Sequence, residues 1–136
     1  MEVNTPLIEA KALKKYFKLG ENRYLHAVDN INLQIYKGTT VGIVGESGCG
    51  KSTFGRTLLR LTEATSGEIL YCGENILTFG RQKMKQMRKN MQIIFQDPYA
   101  SVDPRKSVVE IIAGSMLIPH TYPTRREIFN RAARLM

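Results

Sequence analysis

Gly45-Glu46-Ser47-Gly48-Cys49-Gly50-Lys51-Ser52-Thr53 decides how this chain is read. It fits the pattern G-x-x-x-x-G-K-[ST], a glycine-rich loop that cradles phosphate groups. On one side lies Thr39-Thr40-Val41-Gly42-Ile43-Val44, a β-branched run that predicts a buried parallel strand. On the other side Phe54, Leu58 and Leu61 recur at helical spacing, which predicts a helix over 51–61. Strand, tight turn and helix thus come in the order a phosphate site requires.

The residue types follow from the chemistry. Gly45, Gly48 and Gly50 let the backbone turn sharply, so that the loop through Glu46, Ser47 and Cys49 presents its N–H groups to phosphate oxygens. The positive end of the following helix points at the same anion. Lys51 is placed to reach the β- and γ-phosphates as a mobile point charge, and Ser52 offers a hydroxyl to Mg²⁺. Thr53 is placed to bond the α-phosphate. The expected ligand is a nucleoside triphosphate with its magnesium ion.

The 136 residues are enough for a real core. No stretch approaches the roughly 20 consecutive apolar residues of a membrane span, and the N-terminus lacks a signal-peptide layout. The two cysteines, Cys49 and Cys72, make no disulfide framework, which points to a reducing cytoplasm. Cys72 reads as a packed strand residue. The net charge of +8 invites a nucleic-acid reading. Its densest cluster, Arg81, Lys83, Lys85, Arg88 and Lys89, is however threaded by Met84, Met87 and Met91, the pattern of an amphipathic helix with a solvated basic face. His26 and His120 are too isolated to form a metal site.

Along the chain, strands are expected over 7–13, 28–35, 68–72 and 91–95, with a polar loop over 18–24. From Pro98 the texture turns helical. Ser107-x-x-Glu110 and Thr124-x-x-Glu127 are capping-box patterns, each opening an apolar-periodic run, with a break bracketed by Pro119 and Pro123.

These phrases together resemble the nucleotide-binding subunits of ABC transporters. Ala27-Val28-Asp29-Asn30-Ile31-Asn32-Leu33 resembles the strand before their Walker A motif, and Ser66-Gly67-Glu68-Ile69 the strand after it. Ile93-Ile94-Phe95-Gln96-Asp97-Pro98 is similar to their Q-loop. Its continuation, Tyr99-Ala100-Ser101-Val102-Asp103-Pro104-Arg105, resembles the subgroup that imports dipeptides, oligopeptides or nickel.

The resemblance implies an α/β, P-loop NTPase fold of the ABC type. An N-terminal antiparallel β subdomain and the start of the parallel core would fill residues 1–97, and the beginning of the helical subdomain residues 98–136. It implies that Gln96 joins Ser52 at Mg²⁺ and acts with Lys51 in catalysis. It implies an aromatic ring stacked on adenine, Phe17 with Tyr16 as the alternative, beside Val28. Cys49 takes a variable position of the loop and is expected to be alkylation-sensitive and protected by nucleotide.

The implied cofactors are ATP and Mg²⁺. The implied partners are transmembrane transporter subunits, a second ATP-binding subunit and, indirectly, a solute-binding protein, at the cytoplasmic face of the membrane. Nucleic acid is not an expected partner, although a soluble nucleic-acid ATPase and a non-hydrolysing nucleotide-binding module are the alternatives. The family's signature motif, its Walker B strand and its switch histidine do not occur in the sequence. The chain is therefore expected to be the N-terminal part of such a subunit, binding MgATP without efficient hydrolysis on its own.

Overall fold

The computed structural model describes residues 5–97, 102–117 and 124–135. The wider Q-loop residues Pro98 to Ser101, the Pro119 and Pro123 break, His120 and Met136 lie outside them. The chain divides into two compact units, Met1–Gln92 and Ile93–Met136.

The first unit is built on two long antiparallel strands, β1 (Ile8–Gly20) and β2 (Arg23–Ile35). β1 also pairs antiparallel with β3 (Ser66–Tyr71), which pairs with the short β4 (Glu74–Asn75), so the sheet order is β2-β1-β3-β4. Residues 18–24 do not form the expected loop. They continue both strands, and the chain reverses over Glu21 and Asn22, with Asn22 in the left-handed region that asparagine tolerates. Register shifts interrupt β1 near Leu13 and Lys15, and Ala12 and Asn30 adopt positive φ there.

Helix α1 (Lys51–Leu58) follows the glycine-rich loop, and α2 (Arg81–Met87) follows a 3₁₀ turn at Ile76–Thr78. Phe54 and Leu58 of α1, Met84 and Met87 of α2, and Ala10, Leu13, Val28, Ile69 and Ile76 form one buried cluster. The basic side chains of α2 stay outside it, as the methionine spacing predicts. α1 is shorter than expected. It ends at Leu58, Arg60 turns into the left-handed region, and Leu61 is left exposed rather than on the apolar stripe.

Two strand expectations fail. Residues 39–44 are not a strand, and Val44 is 93% exposed. Residues 91–95 are not a strand either, and Ile94 is 97% exposed. A β-branched run becomes a strand only when a neighbour completes its hydrogen-bond ladder. None of the described strands pairs with either run. Cys72 is likewise corrected. It is exposed, at φ 49° in the turn between β3 and β4, because the chain must reverse at Cys72-Gly73 to pair Tyr71 with Glu74.

The second unit holds α3 (Val108–Leu117) and α4 (Arg125–Arg134). Ala113 packs against Ile128 and Ala132, with Val109, Ile112 and Met116 around them. The capping box of α3 is complete: Ser107 N–H donates to Glu110 Oε2 at 2.8 Å and Glu110 N–H donates to Ser107 Oγ at 3.4 Å. Both Ser107 contacts hold the Glu110 carboxyl below its usual range. At α4, Thr124 Oγ1 accepts from Glu127 N–H at 3.3 Å.

Candidate functional site

The glycine-rich loop runs into α1 through Gly50, which caps the helix at φ 96° and ψ 3°. This backbone is closed to other residues. A Cβ on Gly50 would stand 2.1 Å from the carbonyl oxygen of Ala27 on β2, so the loop packs its backbone directly on that strand. Gly48 also needs the left-handed region, at φ 80°, but faces open space. A Cβ on Gly45 would come 2.7 Å from Cys49 Sγ, so the two ends of the loop also approach closely. The helix begins at once: Phe54 N–H donates to Gly50 O at 2.8 Å.

Lys51 lies back along the loop. Its Nζ donates to Gly45 O at 2.7 Å and to Glu46 O at 2.6 Å, with Cys49 Sγ at 3.6 Å. The loop backbone therefore fixes one positive charge against the N-terminus of α1, where the free helical N–H groups add partial positive charge. Ser52, in the first turn, is exposed, and Thr53 is half-buried. In the turn beyond, Thr57 donates its hydroxyl to Thr53 O at 2.8 Å and is fully buried.

A cavity of about 570 Å³ opens beside the loop. Cys49, Gly50, Lys51 and Phe54 line one side, His26 to Asp29 and Leu33 of β2 another, and residues 41–44 a third. Lys51 and Val28, singled out separately in the sequence, thus share one cavity. Val28 is also a core residue. Ala27 was missed by sequence reasoning. A small residue beside Val28 was the available signal, but its contact with Gly50 is visible only in three dimensions.

The aromatic pair is split between the two faces of the β1–β2 ribbon, since Tyr16 pairs with His26 and Phe17 with Leu25. Tyr16 stacks on the His26 ring at 3.8 Å between centroids and 10° between planes, and its hydroxyl donates to Asp29 Oδ1 at 2.5 Å. Lys14 Nζ lies 3.7 Å from the same oxygen. The bond from Tyr16, aided by Lys14 and His26, holds the Asp29 carboxyl below its usual range, and the same bond pushes the Tyr16 hydroxyl up. Phe17 is 37% exposed with Lys15 Nζ 4.8 Å from its ring centroid. Neither ring lines the cavity. Gln96 belongs to the second unit and is exposed.

The residues present fit a polyphosphate. The loop combines glycines at positive φ, a helix N-terminus and a fixed lysine, and a Cβ at Gly50 would destroy its packing. Ser52 adds an exposed hydroxyl in the first turn of α1, an oxygen of the kind a magnesium ion on such a ligand would take. Among the described residues no cluster of three or more His, Cys, Asp or Glu forms a metal site independent of such a ligand. No described helix is long and apolar enough to cross a membrane.

Comparison with known proteins agrees with this chemistry. The profile of the ABC transporter family matches residues 28–136. The chain is 47% identical to the oligopeptide transport ATP-binding protein OppF of Bacillus subtilis, over 96% of this chain and 43% of that protein. It is 37% identical to OppF of Salmonella typhimurium, over 100% and 43%, and 42% identical to the dipeptide transport ATP-binding protein DppF of Haemophilus influenzae, over 85% and 37%. The chain thus spans about two fifths of the length of these relatives. Among solved structures, a dimeric bacterial ABC transporter cassette superposes with a TM-score of 0.75 at 25% identity, covering 93% of this chain and 54% of that one. A post-hydrolysis cassette bound to ADP and phosphate gives 0.74 at 24%. The match includes the glycine-rich loop at the head of α1, and the chain belongs to the ABC transporter family.

Proposed function

We propose that this chain is the ATP-binding portion of an ABC importer ATPase subunit that powers uptake of peptides, or of nickel, across the bacterial cytoplasmic membrane. The observation that carries the reading is Lys51 fixed by two carbonyls of a glycine loop that leads directly into α1. The relatives' names support peptides as the solute class. They give the nucleic-acid alternative no support.

In this reading the loop N–H groups from Gly45 to Lys51 bind the phosphates, Lys51 neutralises the β- and γ-phosphate charge, and Thr53 bonds the α-phosphate. Ser52 and Gln96 supply oxygens to Mg²⁺. Phe17 provides the ring for the base, because the Tyr16 ring and hydroxyl are engaged with His26 and Asp29. MgATP, when bound, supplies the phosphoanhydride whose cleavage drives transport. The organising carboxylate and water-polarising glutamate of Walker B are not in this sequence, so the chain alone binds MgATP without efficient turnover. The working assembly pairs two ATP-binding subunits with transmembrane subunits on the cytoplasmic face.

The test is equilibrium binding of MgATP to the chain together with a turnover assay. Saturable binding that Lys51→Ala abolishes, with turnover far below that of a complete subunit, supports the reading. Binding unaffected by Lys51→Ala refutes it.

A further inference from the structure

We propose that Thr65 is a positioning residue for the base end of the nucleotide site, tying the aromatic segment of β1 to the chain that leaves the phosphate-binding helix. The proposal rests on the nucleotide reading above and on Phe17 as the stacking ring.

β1 loses its second neighbour where the aromatics begin. Its pairing with β3 stops at Lys14 opposite Ser66, and from Lys15 to Gly20 only β2 continues beside it. The same region carries the register shifts at Leu13, Lys15 and Tyr16, which interrupt the ladder and release backbone groups. A two-stranded ribbon is marginal without further contacts. Its free edge needs a substitute for the missing strand.

Thr65 is that substitute. Its N–H donates to Lys14 O at 2.8 Å, and its Oγ1 accepts from Tyr16 N–H at 2.9 Å. The same hydroxyl lies 3.5 Å from Tyr16 O, as donor. One residue thus takes up three backbone groups of β1 immediately before Phe17. It stands 49 positions from Tyr16 in sequence and shortly after α1, where Thr62 N–H donates back to Arg56 O. The element that presents the phosphate loop and the strand that presents the aromatic ring are joined at Thr65.

The neighbourhood confines a substitution to the hydroxyl. Gly67, at φ 95°, is pressed against the backbone of β1, where a Cβ would stand 2.6 Å from Ala12 O and 2.7 Å from Leu13 Cα. Asn32 Oδ1 accepts from Ala12 N–H at 2.8 Å on the other edge. The bulge is therefore anchored independently of Thr65 Oγ1. Removing that oxygen frees the Tyr16 amide and the Phe17 ring without releasing the sheet.

The experiment uses the chain with Thr65→Val and Thr65→Ser. Calorimetric titrations with MgATP and with magnesium tripolyphosphate separate base-dependent from base-independent affinity. Hydrogen exchange of the Tyr16 amide is read in nucleotide-free protein. Thr65→Val is expected to weaken MgATP about three- to tenfold, the worth of one net hydrogen bond, and to leave tripolyphosphate unchanged. Tyr16 exchange should accelerate, and Thr65→Ser should restore both values. Equal weakening of both ligands, or faster Tyr16 exchange with unchanged MgATP affinity, overturns the proposal. Wild-type protein that binds no tripolyphosphate overturns the phosphate-loop reading instead, and the Thr65 proposal with it. The response of Tyr16 exchange then shows whether the hydroxyl bond itself was real.

Discussion

Replacing Gly50 by alanine should damage the site far more than replacing Gly48, although both glycines belong to one motif and both sit at positive φ. At either position the new Cβ strains the backbone by about 1–2 kcal/mol. At Gly48 that is the whole cost, because nothing lies within 4 Å of the added carbon. At Gly50 the carbon would also stand 2.1 Å from Ala27 O and 3.2 Å from Ala27 C. These are backbone atoms of a paired strand and cannot swing aside, so loop and strand must separate, at a further cost of about 1–3 kcal/mol for overpacking. The expected losses are about 1–2 kcal/mol for Gly48→Ala and about 2–5 kcal/mol for Gly50→Ala. Urea unfolding of the two variants beside wild type, followed by MgATP titration, measures both. Equal destabilisation, or a Gly50→Ala protein that keeps wild-type stability and affinity, would refute the packing of the loop on Ala27.

Arg60 donates from Nη1 to Ile76 O and to Phe79 O, each at 2.8 Å, and its side chain is only 18% exposed. Arg60→Ala should therefore cost the first unit about 2–3 kcal/mol in urea unfolding by stranding two carbonyls, with Arg60→Lys recovering part of the loss. Tyr16 should ionise above its ordinary value, because its bond to Asp29 holds the proton. That bond stabilises the ribbon below the unfolded tyrosine value, and its contribution is lost as pH rises through the raised folded one. An NMR titration of Tyr16 that does not move downward in Asp29→Asn would contradict this. The Glu110 cap works in the opposite sense. Its lowered folded value stabilises α3 above the unfolded glutamate value and is lost as pH falls through the folded one, so Glu110→Gln should flatten the acid-side loss of α3 helicity seen by circular dichroism.

What the sequence made legible was what depends on neighbours in sequence. The start of α1 at Lys51, the capping box before α3 and the buried Met84 and Met87 all follow from local hydrogen bonding or helical periodicity. The glycine-rich turn into α1 was legible for the same reason, since its glycines and lysine are contiguous. Strands were harder, because a strand is a pairing. Residues 39–44 and 91–95 carry the right residue types but have no partner among the described strands. Residues 18–20 and 23–24 extend β1 and β2 although Lys18, Leu19, Arg23 and Tyr24 are all exposed, because a ribbon solvated on both faces lacks the apolar–polar alternation that marks a strand in sequence. The contacts of Ala27 with Gly50 and of Thr65 with Tyr16 join residues 23 and 49 positions apart, beyond the reach of any local pattern.

Binding of nucleoside triphosphate phosphates by the loop from Gly45 to Ser52 is the step on which the proposed function depends. The direct test is an amide NMR titration of ¹⁵N-labelled chain with MgATP and with magnesium tripolyphosphate. Both ligands are expected to shift the amides of Gly48, Gly50, Lys51 and Ser52, and only MgATP to shift Phe17 as well. Perturbations that leave the loop unmoved and fall elsewhere, or none at millimolar ligand, would contradict it.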